Sequence, residues 1–367
     1  MKSTPFSAFH KQLGAKMVEF AGYEMPVTYP GGLIAEHNAV RNACGLFDVS
    51  HMGEFLIKGP DAVAFVNRVT TNDVTKLAVG QVHYSAILNE RGTFEDDCLV
   101  YRFADHIMMV VNASNAAKDF AHISKEVKKF NVQLTDVSDA TALLAVQGPK
   151  AESIVLPLID AAKRAEVSAL GYYHFTTATV AGVKDVIVSR TGYTGEDGFE
   201  LYFDVKHAST VWNALMNTKQ ITPCGLGCRD TLRLEMGMAL YGNDIDDTVT
   251  PLEAGLGWIV KLSKGDFVGK PVLEKQKADG IKKKLVGFTI SERGAIPRHG
   301  YPAFAAGAAS GNVCSGTMSP SLGFSVGTCY VPASNSKEGS AVEVEIRGKR
   351  VKGTVAKFPF YTKASHK

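Results

Sequence analysis

The sequence of 367 residues lacks the marks of several large protein classes. Its longest apolar stretches, such as 107–111, fall far short of the roughly 20 residues that a membrane span requires, so we expect a soluble protein with no membrane role. The numbers of basic and acidic residues, 40 and 37, are too similar for the basic face that nucleic-acid binding needs. The six cysteines include one close pair, Cys224 and Cys228, but no paired C-x-x-C hooks, so neither a zinc site nor a disulfide framework is expected.

Signals for export and for nucleotide chemistry are also missing. The first residues carry neither an apolar export segment nor an Arg-rich presequence, which favours a reducing compartment. The segment 265–271 resembles a phosphate loop, but it is one residue short between its glycines and has Pro271 where a magnesium-binding hydroxyl belongs. In 225–230 a dinucleotide-like glycine pattern ends in Asp230, whose charge opposes a pyrophosphate. We therefore expect no bound nucleotide and no metal.

A five-residue match to the nucleophile elbow of serine hydrolases, 323–327, fails for two reasons. The run that follows it, 328–331, is typical of a strand, whereas the elbow must lead into a helix. No Asp lies downstream, and the only later histidine is His366. Ser325 is therefore interpreted as an ordinary turn residue.

The clearest positive feature is a weak internal repeat, in a chain whose length predicts two or three domains. The copies, approximately 54–127 and 143–217, each begin with an apolar alternating segment that runs into Gly-Pro and then into a helical pattern. Three strand-like runs follow in each copy, and then a second helix, near 116–127 in the first copy and near 208–216 in the second. This order predicts an α+β fold, with two mostly antiparallel sheets backed by helices. Beyond residue 282 short alternating strands predict a small all-β domain, 283–367, with a hairpin turn at Gly348.

Three adjacent carboxylates, Glu95, Asp96 and Asp97, enter one of the predicted strands. Because side chains alternate along a strand, Asp97 shares a face with Tyr101, while Asp96 lies on the other face. One of these acids must therefore point inward, where an unpaired charge costs several kcal/mol unless it is paired or used for chemistry. A solvated hairpin end with all charges outside is the alternative.

Two further segments carry charged groups in suggestive places. The loop 190–198 has three glycines at three-residue spacing, which allow the backbone to approach another molecule closely, and Glu200 follows it as a possible bidentate acceptor. An ordinary β-turn is the alternative. Arg229 and Arg233 lie four residues apart, and so on one face of a predicted helix, where an ion-pair network with nearby acids would also explain them.

Together and in order, these segments resemble the glycine cleavage system T-proteins, a family of tetrahydrofolate-dependent aminomethyltransferases. The resemblance covers nearly the whole chain. It rests on 14–17, 20–26, 45–54, 96–97, 111–115, 190–200, 229–235, 241–244 and 359–361. One departure is the segment 91–95, which places extra charge and bulk where the family commonly has two glycines and aliphatic residues before the Asp pair.

The resemblance implies a role for each matched residue. Asp97 matches the family's essential acid, which contacts the N5/N10 edge of the folate, and Glu200 matches its pterin anchor. Arg229 matches an arginine near the cavity mouth, and Asn112 and Asn115 help to shape the region around Asp97. The expected pocket-lining and C-terminal contacts are Met52, Tyr84, Tyr101, Tyr173, Tyr193 and Tyr361.

The resemblance also implies the architecture and the chemistry. Two interlaced domains in 1–282 and a C-terminal barrel, 283–367, are expected to form a three-domain cloverleaf around a central folate channel. The implied reaction moves the carbon of an aminomethyl group from the lipoyl arm of H-protein to tetrahydrofolate, without a metal. P- and L-proteins belong to the same system, and the location is cytoplasmic if the source is bacterial or the mitochondrial matrix if it is eukaryotic.

The sequence leaves two other functions open. A demethylase of the same folate-binding superfamily could use a similar pocket for an N-methyl or onium substrate. A non-catalytic folate-binding protein for iron–sulfur cluster assembly is the other alternative, but the segment 265–270 lacks the cysteine and the Gln-Glu of its motif.

Overall fold

In the computed structural model, which describes residues 1–366, twenty strands and nine α-helices build the chain. The strands are β1 Lys2–Ser3, β2 Lys16–Phe20, β3 Tyr23–Thr28, β4 Gly45–Asp48, β5 Gly53–Lys58, β6 Val82–Leu88, β7 Phe94–Arg102, β8 His106–Val111, β9 Gln133–Asp136, β10 Thr141–Gln147, β11 Phe175–Val180, β12 Val183–Ser189, β13 Gly198–Asp204, β14 Thr222–Pro223, β15 Lys283–Ile290, β16 Pro302–Ala305, β17 Ala308–Met318, β18 Ser325–Pro332, β19 Ala341–Ile346 and β20 Lys349–Ala356. The helices are α1 Ser7–Gln12, α2 Leu33–Asn42, α3 Ala62–Val69, α4 Ala116–Val127, α5 Ala151–Val155, α6 Ala161–Ser168, α7 Ala208–Asn217, α8 Leu226–Glu235 and α9 Lys270–Asp279. No helix within residues 1–366 combines the length and the apolar character needed to cross a membrane.

The two copies of the sequence repeat fold with the same strand order. The four strands of the first copy have the order β6-β7-β8-β5, with β9 added beside β5, and those of the second have the order β11-β12-β13-β10, with β4 and β14 added beside β10. In both, the first strand of the copy pairs with its fourth strand, so the middle of each sheet is antiparallel. Strand β4 precedes the first copy in sequence but pairs with β10 of the second, which interlaces the two units. The predicted α+β class is confirmed.

The Gly-Pro junction of each copy has a steric reason. Gly59 and Gly148 have φ angles of +121° and +139°, a region that L side chains avoid. A Cβ atom on Gly59 would lie 2.5 Å from the carbonyl oxygen of Asn131, and one on Gly148 would lie 2.4 Å from that of Ala43. Only glycine fits where the chain leaves the first strand for the following helix.

The C-terminal region forms a closed barrel in the order β15-β18-β17-β16-β19-β20, which confirms the all-β domain predicted from the alternating pattern and the barrel implied by the resemblance. The hairpin β19–β20 turns on Arg347 and Gly348, which both have positive φ, as a type I′ turn requires. The interpretation of Ser325 as a turn residue is wrong. It is buried at the start of β18 and pairs with Ile290 and Met318 on the neighbouring strands.

A buried apolar layer lies between the two repeat sheets and positions the site. It includes Val110 from the first sheet and Leu143 and Tyr202 from the second, with Leu232 of α8 packed against them. Because both sheets contribute to this layer, an opening beside it is lined by residues that are far apart in sequence.

Candidate active site

A cavity of about 570 Å³ opens where the two repeat sheets and the segment after α8 meet. Its walls include Val110 of the first sheet, Leu143 of the second sheet and the run 236–240. A volume of this size fits a small organic ligand. Eight of the ten residues predicted for the site line it, namely Met52, Tyr84, Asp97, Asn112, Tyr173, Tyr193, Glu200 and Arg229.

Strand alternation places Asp97 at the cavity. In β7 the side chains of 94–100 alternate between buried and half-buried, with Asp96 on the fully buried side. Tyr84, Leu99 and Val110 form one row across β6, β7 and β8, and all three line the cavity. Asp97 precedes Leu99 by two residues and therefore shares its face.

Two donors hold the carboxylate of Asp97 in place. The hydroxyl of Tyr84 donates to Oδ2 at 2.8 Å, and Nδ2 of Asn112 donates to Oδ1 at 2.7 Å. Burial and the neighbouring charge of Asp96 raise the pKa of Asp97 to about 7, although the two hydrogen bonds act in the opposite direction. Asp97 can therefore take up and release a proton near neutral pH, as a general acid or base requires.

Glu200 supplies the second carboxylate, from strand β13 of the other sheet. The hydroxyl of Thr191 donates to Oε2, and that of Tyr202 lies 3.5 Å from the same oxygen. Within residues 1–366, these hydrogen bonds leave Oε1 for a ligand in the cavity. Burial raises the pKa of Glu200, which the charge of Arg229 partly offsets. A ligand with adjacent N–H donors would stabilise the ionised form.

Arg229 brings a positive charge to the same cavity from α8. Its guanidinium lies over the ring of Tyr193, 4.9 Å from the centroid, and no carboxylate within residues 1–366 forms a salt bridge with it. Burial lowers its pKa, and its charge helps to lower that of buried His51 to about 3. Arg229 can therefore meet an anionic group of a ligand.

Arg233, one turn further along α8, has a structural role. It is 1% exposed and lies in ion pairs with Asp244 at 2.6 Å and Asp230 at 2.7 Å. This is the ion-pair network that the sequence offered as the alternative for both arginines, and it applies to Arg233.

The structure does not bring Tyr101 and Tyr361 to the cavity wall. Tyr101 is on the same strand face as Asp97, but four residues further along, where the second sheet covers it. Its hydroxyl lies 2.8 Å from that of Tyr202. Tyr361 stacks over the guanidinium of Arg41, 4.3 Å from the ring centroid, and its N–H donates to the carbonyl of Glu235. Asn115 also lies off the cavity and donates to Asp96 at 2.8 Å.

Sequence reasoning missed several lining residues. Tyr202 could have been found, because it follows Glu200 by two residues on one strand and so shares its face. Trp258 is 59% exposed, unusual for tryptophan, and its ring lies 6.0 Å from that of Tyr84. His366 reaches the cavity through the C-terminal segment, with Nδ1 2.7 Å from the carbonyl oxygen of Gly195. No local sequence pattern predicts that His366 contacts Gly195.

Comparison with known proteins decides which family this site belongs to. The model of the GCVT N-terminal domain matches residues 6–264, and that of the glycine cleavage T-protein C-terminal barrel domain matches residues 283–362. The chain belongs to the glycine cleavage T-protein family.

Named members of the T-protein family match the chain over its whole length. The aminomethyltransferase of Chloroherpeton thalassium is 50% identical, covering 99% of each chain, and that of Phocaeicola vulgatus is 48% identical, covering 98% of this chain and 99% of its own. The crystal structure of the glycine cleavage system aminomethyltransferase T from Bartonella henselae has a TM-score of 0.92 and 35% identity, covering 100% of this chain and 99% of its own. The predicted family, fold class and enzyme class are confirmed, and the activity is aminomethyl transfer in the glycine cleavage system.

Proposed function

We propose that this T-protein transfers the carbon of an aminomethyl group from the lipoyl arm of H-protein to tetrahydrofolate, in the system that also contains P- and L-proteins. Two carbon–nitrogen bonds form, to N5 and N10 of the folate, while the carbon–sulfur and carbon–amine bonds of the aminomethyl group break. The two protons that leave the folate nitrogens end on ammonia and on the thiol of the carrier arm. The bacterial source of the relatives supports a cytoplasmic location.

The observation that carries this proposal is the pair of half-buried carboxylates, Asp97 and Glu200, that face one cavity from two different sheets. The pyrimidine ring of the reduced pterin is flat and presents adjacent N–H donors, which suit a carboxylate acceptor such as Glu200. Tyr84, Tyr173 and Tyr193 supply aromatic walls for the ring system. The carboxylate acceptors and the aromatic walls of the cavity therefore fit the folate.

Asp97 has the properties needed to handle a proton at the reacting nitrogens. With its pKa raised to about 7, it is ionised in a large fraction of molecules at pH 7.5 and can accept a proton. Tyr84 and Asn112 hold its two oxygens in fixed directions before any substrate arrives. Much of the remaining rate would come from holding two substrates in one cavity.

A single assay tests the proposal. Aminomethylated carrier protein is incubated with the enzyme, with and without tetrahydrofolate, and released ammonia is measured. We expect rapid release only with folate present, and loss of that release in Asp97→Asn. An N-methylated or onium substrate in place of the carrier is the control, and turnover of that substrate with no turnover of the carrier would assign the pocket to demethylation instead.

A further inference from the structure

A second buried carboxylate lies directly behind Asp97. Asp96 is 0% exposed and faces away from the cavity, toward α4. It accepts hydrogen bonds from the backbone N–H of Asn112 at 2.9 Å, from Nδ2 of Asn112 at 2.9 Å and from Nδ2 of Asn115 at 2.8 Å. Burial raises the pKa of Asp96, whereas the hydrogen bonds from Asn112 and Asn115 lower it and so favour its ionised form.

Asp119 of α4 lies next to the carboxylate of Asp96. It is 0% exposed, and within residues 1–366 neither of its oxygens meets an N–H or O–H donor. The carboxyl group of Asp96 is within hydrogen-bonding reach, and two carboxyl groups can form such a bond only by sharing a proton. Burial and the charge of Asp96 raise the pKa of Asp119 to about 11. Because Asp96 accepts three N–H hydrogen bonds and Asp119 accepts none from the described residues, the shared proton resides on Asp119, which donates it to Asp96.

Asn112 connects this acid pair to the cavity. Its Nδ2 donates both to Oδ1 of Asp96 at 2.9 Å and to Oδ1 of Asp97 at 2.7 Å. The amide cannot be turned around, because its carbonyl oxygen would then face two carboxylates. An ionised Asp96 thus fixes the side chain that aims Asp97.

We propose that Asp119 is a positioning residue, a neutral acid whose proton keeps Asp96 ionised and thereby holds Asn112 and Asp97 in the orientation used for transfer. This role in transfer rests on the proposed function. Asp119 itself does not line the cavity.

Other charged and titratable groups lie against the acid pair and must be considered in any pH profile. Lys118 of the same helix donates to the hydroxyl of Tyr241 at 3.0 Å and lies 3.7 Å from the carboxylate of Glu95. Its charge opposes the rise in the pKa of Asp119, while that of Glu95 adds to it. Cys98 of β7 is buried, and its pKa is raised well above its usual value, so it stays neutral. None of these groups supplies a donor to Asp119.

Two matched variants at one position separate this role from simple packing. Asp119→Asn keeps an N–H donor for Asp96, whereas Asp119→Leu has a similar size and no donor. We expect Asp119→Leu to lower kcat about tenfold with little change in the KM for folate, because the lost hydrogen bond to a charged group is worth at least that factor. Asp119→Asn should restore most of kcat.

The pH profile gives a second readout. Without a donor, buried Asp96 takes up the proton itself, and its charge no longer raises the pKa of Asp97. The acid limb of kcat/KM should therefore move to lower pH in Asp119→Leu and in Asp96→Asn, and stay in place in Asp119→Asn. A profile of Asp119→Leu that coincides with wild type, or equal losses in the Leu and Asn variants, would overturn the proposal.

Infrared difference spectroscopy tests the proton without any turnover. At pH 7 the difference spectrum between wild type and Asp119→Asn should contain the carbonyl band of a protonated carboxylic acid. If that band is absent, Asp119 is ionised and the inference fails, even where ammonia release supports the proposed function. If the band is present but no ammonia is released, the acid pair exists and the proposed function fails.

Discussion

The most informative single substitution is Asp97→Asn, which keeps the shape of the side chain and removes its ability to take up a proton. General acid–base catalysis typically contributes about 10² to 10⁴ in rate, so we expect kcat for ammonia release to fall by about 100-fold or more. Folate affinity should change by less than about tenfold, since one ordinary hydrogen bond is worth about 0.5–1.5 kcal/mol. Single-turnover ammonia release and folate titration measure the two effects separately.

The same variant has a stability signature whose sign follows from the raised pKa. A carboxyl with a pKa of about 7 in the folded state and 3.8 as its ordinary value holds its proton more tightly when folded. The folded state therefore loses stability as pH rises from about 4 to 7, by on the order of 4 kcal/mol at most, because one pKa unit is worth about 1.4 kcal/mol. Asp97→Asn should remove this loss and have a higher Tm than wild type at pH 8, with less difference at pH 4.

Two control variants show whether the effects of Asp97→Asn come from its carboxyl group. Tyr84→Phe removes one donor that lowers the pKa of Asp97, so the acid limb of the activity profile should move to higher pH. The exposed Asp105→Asn should match wild type in both kcat and Tm. Wild-type turnover in Asp97→Asn would refute the assigned role, and a Tm at pH 8 below that of wild type would refute the argument from burial.

Other substitutions test separate parts of the molecule. Glu200→Gln should raise the Kd for tetrahydrofolate by about tenfold or more, since a hydrogen bond to a charged group is worth about 1.5–3 kcal/mol. Quenching of Trp258 fluorescence on titration with folate can measure this Kd. An unchanged Kd would show that Glu200 does not hold the pterin. Arg233→Met leaves the buried charge of Asp244 unpaired and should lower the free energy of unfolding by about 3–5 kcal/mol in denaturant titrations, so a loss below 1 kcal/mol would contradict the ion-pair network. Glu54 is 1% exposed, its oxygens meet no partner within residues 1–366, and burial raises its pKa well above 4.5. The folded state therefore loses stability as pH rises above about 4.5, and Glu54→Met should flatten that dependence in Tm measurements, whereas a parallel profile would show that the carboxyl is ionised in both states.

The sequence predicted the elements of the two repeats well, because their signals are local. The helix 116–127 and the helix near 208–216 occur where the apolar period indicates them, the second ending at Asn217. The Gly-Pro junctions, at 59–60 and 148–149, mark a backbone conformation that only glycine adopts without strain. The alternation of side chains along β7 correctly predicted that Asp97 and Asp96 lie on opposite faces of the strand.

What the sequence could not predict depends on contacts between distant segments. Tyr101 lies on the strand face that points toward the cavity, but the second sheet packs over it. Which residues of a strand face are covered in this way depends on how the two sheets pack, and the sequence does not show that. The place of Tyr361 over Arg41 is set by the path of the C-terminal segment, which has no periodic pattern. The sequence did not predict the burial of Asp119, because a lone acidic residue in a helical pattern is usually exposed.

The pairing of β4 with β10 explains why domain boundaries are hard to draw from sequence. A strand of only four residues leaves the first unit and completes the sheet of the second. Composition and periodicity report a segment's secondary structure, but they do not report which sheet it joins.

A crystal structure with bound tetrahydrofolate tests the central claim most directly. The account predicts the pterin N–H edge against the carboxylate of Glu200, with the N5/N10 edge within hydrogen-bonding reach of Asp97 and the ring among the cavity tyrosines. Folate bound elsewhere on the protein, or bound in this cavity with the Asp97 carboxylate turned away from its nitrogens, would contradict it.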